Sequence, residues 1–185
     1  PILINKTNIL INKKKSYKSI HDKCLKALKI SEKNSDNIYR PYIYEILGFL
    51  SRKYEKNKQS IHYYLLSIDF FKNIKVLRKI PQIEYELGKL YYKLKDFKNS
   101  ELCLKSAAEK NKDFNNYSLD IQIFKFLCQM YKKNNDNDNL FIYKDLLTKA
   151  LERENEYSHS TLSKVNKEAI SFLSEEYKRE LDDRD

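Results

Sequence analysis

Three histidines, three cysteines and one run of amides and acids are the side chains here whose chemistry could serve a metal or a nucleophile. His21, His62 and His159 fall in no H-E-x-x-H and no Cys/His ligand cluster, so no zinc spacing is present. Asn134-Asn-Asp-Asn-Asp-Asn139 superficially has the composition of a calcium loop. It lacks the central Gly, and the twelfth position from Asp136 is Leu147, where such a loop needs a bidentate Glu. It reads as a polar connection between helices. Cys24, Cys103 and Cys128 are odd in number and each sits inside a helical pattern. They fit a reducing cytoplasm and small packing residues better than a disulfide frame. No G-x-S-x-G elbow occurs, and 2 Gly leave no Gly-rich loop to cradle a phosphate. The expectation is therefore no enzyme, no cofactor and no metal.

Elements that could position other chemistry follow from composition. With 2 Gly and 3 Pro in 185 residues, sheets rich in tight turns are excluded, and a 41% hydrophobic fraction is enough for a core. An all-α fold remains. The formal charge is +10, unevenly placed. Residues 1–60 carry 14 basic and 5 acidic side chains, whereas residues 151–185 carry 6 and 10. A basic front and an acidic tail suit head-to-tail association or a solvated surface. Thirty of the basic residues are Lys, in a sequence rich in Asn, Ile and Tyr, a coding bias of AT-rich genomes. Charge alone thus argues little for nucleic acid, and Tyr17, Tyr54, Tyr64, Tyr91 and Tyr131 are expected in the core rather than stacked on bases. No run of 18 apolar residues spans a membrane, and the start lacks a signal-peptide pattern, reading as a piece of a longer chain.

The strongest organising signal is self-similarity at a spacing of 40 residues. Ile43, Ile83 and Ile123 coincide, as do Leu47, Leu87 and Leu127. Gly48, Gly88 and Cys128 share one small position, and Leu50, Leu90 and Met130 an apolar one. Each block is followed by a stretch with spacings of three and four, which fall on one helical face. Helices are expected at about 2–13, 16–31, 41–55, 58–79, 81–94, 97–111, 117–133, 139–156 and 161–181. Pro41 and Pro81 suit first turns, and Ser118 and Thr161 suit N-caps.

Leu87, Gly88, Tyr91, Ser100, Leu104 and Ala107 carry the pattern by which one unit resembles the tetratricopeptide repeat. Leu47, Gly48, Ser60, Tyr64 and Ser67 carry it in another, with Ser51 at the usual aromatic position. The repeat length of 40 is similar to that of the Rap, NprR and PlcR-type peptide-pheromone receptors. The resemblance implies a right-handed superhelical solenoid of helix pairs, with units at about 1–31, 41–79, 81–111 and 117–156. Residues 161–181 would form a C-terminal capping helix for the last pair, with Leu162, Val165, Ala169, Phe172, Leu173 and Tyr177 on its apolar face.

The same resemblance implies that the first helix of each pair lines a concave groove. Its inward positions would be Glu45, Phe49 and Arg52; Gln82, Tyr85, Lys89 and Tyr92; and Gln122, Lys125, Gln129 and Lys132, with Asn5, Ile9 and Asn12 in the first helix. Amides can pair with an extended peptide backbone and cations with its carboxylates. The Asn of the family's carboxylate clamp is replaced by Ile46, Glu86 and Phe126. The implied function is a peptide-binding regulator of the quorum-sensing type, controlling transcription or a partner protein. The alternative is a constitutive scaffold holding an extended segment of a partner. A homodimer is compatible with either, and DNA would be reached only through a domain outside these residues.

Overall fold

The computed structural model describes residues 17–34 and 37–182, with 169 and 172–182 described by backbone alone. The helix expected over 2–13, and with it Asn5, Ile9 and Asn12, lies outside the described residues. Seven α-helices account for nearly all of the rest, and no strand occurs among the described residues. They are α1 (Tyr17–Lys33), α2 (Arg40–Lys53), α3 (Asn57–Asn73), α4 (Ile80–Lys93), α5 (Phe97–Asn111), α6 (Tyr117–Lys133) and α7 (Asn137–Asp182). The all-helical expectation holds. Two compact units divide the chain, Pro1–Asn115 and Asn116–Asp185, and the boundary falls between two sequence repeats.

In the first unit α2 pairs with α3, and α4 pairs with α5. Both pairs are closed by the same device. Ser60 Oγ donates to the Gly48 carbonyl at 2.8 Å, and Ser100 Oγ donates to the Gly88 carbonyl at 2.8 Å. Gly48 and Gly88 are small because their helices nearly touch there. A Cβ at Gly48 would lie 2.5 Å from Tyr64 Cδ1, and one at Gly88 would lie 2.7 Å from Leu104 Cγ. Leu47 and Leu87, 0% and 1% exposed, fill the space next to these contacts. Burying such a side chain stabilises by about 1.5–3 kcal/mol each, which makes these repeat positions the main apolar anchors. Ile20, Cys24 and Leu28 of α1 pack with Ile43, Leu47 and Leu50 of α2. Tyr64, Ile68 and Phe71 of α3 pack with Ile80, Ile83 and Leu87 of α4.

Pro41 and Pro81 sit in first turns as expected. The N-cap of α6 is Asn116, whose side chain accepts from the Leu119 amide at 3.2 Å, and not Ser118. Helix ends show a rhythm the sequence hides. Glu55, Lys75, Lys95, Asn115 and Asn135, spaced by 20, all have positive φ, between 50° and 63°. Four of them close a left-handed C-terminal cap of paired backbone bonds. At Lys95, for example, the Lys95 amide donates to Tyr92 O and the Asp96 amide to Tyr91 O, both at 3.0 Å. Glycine normally fills this position; here none does.

In the second unit α6 packs on the first half of α7, burying Leu119, Ile123, Leu127, Met130 and Tyr131 with Ala150. The expected break between 156 and 161 is absent. The helix runs unbroken from Asn137 to Asp182, and 161–181 is its continuation, not a separate capping helix. Thr161 is no N-cap; its hydroxyl donates to the Tyr157 carbonyl at 2.8 Å, a bond made inside a helix. Ser158-His159-Ser160-Thr161 is weak in propensity but holds neither Gly nor Pro, so nothing stops the helix.

Candidate functional site

On the first unit, α2 and α4 present a joint face whose hub is Glu86. Arg52 of α2 and Lys89 of α4 both pair with its carboxylate, Lys89 Nζ at 2.8 Å. The side chains of all three are between 18% and 27% exposed, so the network is partly dehydrated. The Arg52 guanidinium stands 5.3 Å from the Phe49 ring centre, and Lys89 Nζ 4.2 Å from that of Tyr85. Both distances are within cation–π range. Phe49 itself is 38% exposed. Glu45 is half-buried beside them, and burial raises its carboxyl above the usual range, with Glu86 adding to the shift and Lys79 opposing it. The face thus gathers two cations around one carboxylate, next to an acid that burial discourages from ionising.

Below this face lies Tyr64 of α3, 1% exposed, with a buried hydroxyl that has no hydrogen-bond partner. Desolvation raises its pKa, and the charges of Arg52, Glu86 and Glu45 reach it. At the far end of the face Lys93 Nζ pairs with Glu55 at 2.9 Å, a second tie between the ends of α4 and α2.

Of the residues expected in a groove, Glu45, Phe49, Arg52 and Lys89 meet on this face. Tyr85 does not behave as expected: it is 7% exposed and belongs to the packed interior. The reason is the position of α4, covered by α2 and α3 on one side and by α5 on the other. Ile80, Pro81, Ile83, Glu84, Tyr85, Leu87, Gly88 and Leu90 are all buried, a band wider than one stripe. Burial also raises the Tyr85 hydroxyl pKa. Gln82 is half-buried. Tyr92 turns its ring edge-on to Phe97 of α5 at 5.4 Å. Gln122, Lys125, Gln129 and Lys132 are exposed on α6 of the second unit. Of the tyrosines expected in the core, Tyr64 and Tyr131 are buried, Tyr17 and Tyr91 half-buried, and Tyr54 is 39% exposed.

Glu86 is the residue of this face that spacing alone misses. Its signal was its departure from the clamp's Asn, together with cations at two inward positions.

No group of three His, Cys, Asp or Glu is placed to hold a metal among the described residues. Cys24, Cys103 and Cys128 are free thiols, and burial pushes Cys24 and Cys103 each up to about 11. No described helix is long and apolar enough to cross a membrane.

The fold defines an all-helical protein of paired helices. Among solved structures it is similar to the crystal structure of BtubC (BKLC) from P. vanneervenii, with a TM-score of 0.66 and 19% identity. The similarity covers 75% of this chain and 58% of that one, so the chain spans little more than half the length of BtubC. At that identity the likeness is one of fold. No protein-family model and no curated protein matches the chain.

Proposed function

We propose that this chain is a peptide-binding module of tetratricopeptide-like helix pairs, α2–α3 and α4–α5 being successive turns of a solenoid. The α2–α4 face of the first unit takes up a short peptide or an extended segment of a partner protein. What carries the reading is the half-buried Arg52–Glu86–Lys89 network beside exposed Phe49. Two cations on one carboxylate leave room for a peptide carboxylate to share them, and Phe49 offers an aromatic platform for an apolar side chain. The resemblance in repeat length supports a regulatory protein as its setting, with the peptide as a signal. One observation favours a constitutive scaffold instead: Arg52–Glu86 and Lys93–Glu55 already tie α2 to α4 without a ligand, so the face is preorganised.

The test is selection of random peptides on the full chain, followed by calorimetric titration of the strongest into parent, Phe49→Ala and Lys89→Ala. Each substitution weakens binding tenfold or more, about 1.4 kcal/mol, on this reading. A failure to enrich any peptide, or equal affinities with all three proteins folded, would remove the face from the account. A ligand that binds without altering the helix packing would select the scaffold over the signal receptor.

A further inference from the structure

The charges of the α2–α4 face do not balance locally. Arg52 and Lys89 share the one carboxylate of Glu86, so the end of the face at Arg52 carries a cation in excess. Glu45, one helical line back on α2, is the reverse case. Among the described residues its carboxylate feels burial and the charges of Lys79 and Glu86, and it accepts no hydrogen bond. Lys79 holds its ammonium toward the Tyr42 ring, 6.0 Å from the ring centre. Glu45 also stands where it costs stability, since burial favours its neutral form. An acid placed at such a cost is a common mark of a binding site. The floor holds a second unsatisfied group, the buried Tyr64 hydroxyl, which has no hydrogen-bond partner and lies within reach of the charges of Arg52, Glu86 and Glu45.

Glu45, Phe49 and Arg52 are spaced by four and three, so they share one line of α2. Their helical rise sets the acid and the cation about 10 Å apart along the axis. Exposed Phe49 stands between them. Each end of the line is therefore short of an opposite charge, and the two ends are about three residues of extended chain apart.

We infer that the peptide taken up on this face carries a lysine side chain for Glu45 and, three or four residues away, a carboxylate for Arg52 and Lys89. An apolar residue between the two lies on Phe49. The inference rests on the α2–α4 face as the peptide site and adds the order of charges along it. Lysine fits because its ammonium is a compact charge on a long apolar stem, which reaches a half-buried carboxylate while the stem stays on apolar surface. The same peptide laid in the opposite direction sets ammonium against Arg52 and carboxylate against Glu45, so the ligand binds in one direction only.

The strongest peptide selected from a random library on the full chain is synthesised with acetylated and amidated ends. Its affinity for parent and Glu45→Gln is measured by calorimetry. The selected sequences should share a lysine and an acid three or four positions apart, and blocking the ends should leave affinity unchanged. Replacing the lysine by norleucine should weaken binding to the parent at least tenfold. Glu45→Gln should weaken the lysine peptide by a similar factor and bind the norleucine peptide as the parent does, since both changes remove one contact. Glu45→Gln is nearly isosteric, and urea denaturation followed by far-UV circular dichroism checks that it is folded. A merely structural Glu45 would leave affinity unmoved. Peptides that Lys89→Ala weakens, but that lack the lysine or bind Glu45→Gln as tightly as parent, overturn this inference and leave the peptide face standing. Binding lost on acetylation overturns it too, by giving Glu45 to the peptide's terminal amine. A selection that yields no peptide overturns both the inference and the face.

Discussion

Replacing Gly48 by Ala probes the closest helix–helix approach in the first unit. The added Cβ would stand 2.5, 2.7 and 3.0 Å from Cδ1, Cε1 and Cγ of Tyr64. Ordinary carbon contacts begin near ~3.5 Å, so the ring must retreat by about 1 Å or α2 and α3 must separate. Tyr64 is 1% exposed and planar, with no soft end to yield. Overpacking of this kind costs about 1–3 kcal/mol, while exchanging a mid-helix Gly for Ala returns about 1 kcal/mol of propensity. The contact of several ring atoms puts the cost at the upper end, for a net loss of about 1–2 kcal/mol. At Gly88 the Cβ would meet Leu104 Cγ and Cδ2 at 2.7 and 2.9 Å. The branched end of a Leu can turn further than a ring can retreat, so Gly88→Ala costs less than Gly48→Ala, and Gly88→Leu costs far more than either. Urea denaturation followed by far-UV circular dichroism measures the series. Adding Tyr64→Leu to Gly48→Ala sets the second repeat's more yielding Leu against the new methyl and recovers part of the loss, so the two changes couple. A Gly48→Ala protein as stable as the parent, or more stable, refutes the close approach.

Lys95→Gly removes the cost of a side chain at φ 63° and raises stability by about 1 kcal/mol in the same assay, provided its cap bonds persist. Tyr64→Phe deletes a buried hydroxyl that has no partner, so stability is unchanged or raised, whereas a loss would reveal a bond to that oxygen. Glu45→Gln tests the raised carboxyl. With its folded pKa above the unfolded one, native Glu45 loses stability as pH rises through the interval between them. The variant is therefore more stable than the parent near neutral pH, and the difference vanishes below about pH 4, where the carboxyl is protonated in both states. Cys24 and Cys103, held up to about 11 by burial, react slowly with iodoacetamide at pH 8, and denaturant speeds the reaction. Rapid native labelling of either would show local opening.

Much of the fold was legible because its contacts repeat in sequence. Gly48 and Gly88, the serines 12 residues beyond them, and the leucines that precede them recur at one spacing, and each recurrence marks a helix pair. The helix-end residues did not announce themselves. Glu55, Lys75 and Lys95 carry no turn chemistry, and paired backbone bonds close each helix end in a conformation that glycine would adopt at lower cost. Tyr85 was misplaced because a two-faced helix was assumed, while α4 is enclosed from both sides. The expected α7 break rested on Thr161 as an N-cap, yet its hydroxyl bonds within the helix and neither Gly nor Pro stands nearby to end it. On the candidate face, repeat position located Phe49, Arg52 and Lys89. Glu86 was visible in sequence only as a departure from the clamp's Asn; its pairing with Arg52, 34 residues away, emerged from geometry.

The central claim is that α2 and α4 of the first unit form the binding face. Amide hydrogen exchange of the full chain, with and without the strongest selected peptide, tests it most directly. The account predicts slowed exchange in Arg40–Lys53 and Ile80–Lys93, with Asn57–Asn73 and Phe97–Asn111 little changed. Protection confined to α3 and α5, or to α7, would contradict it.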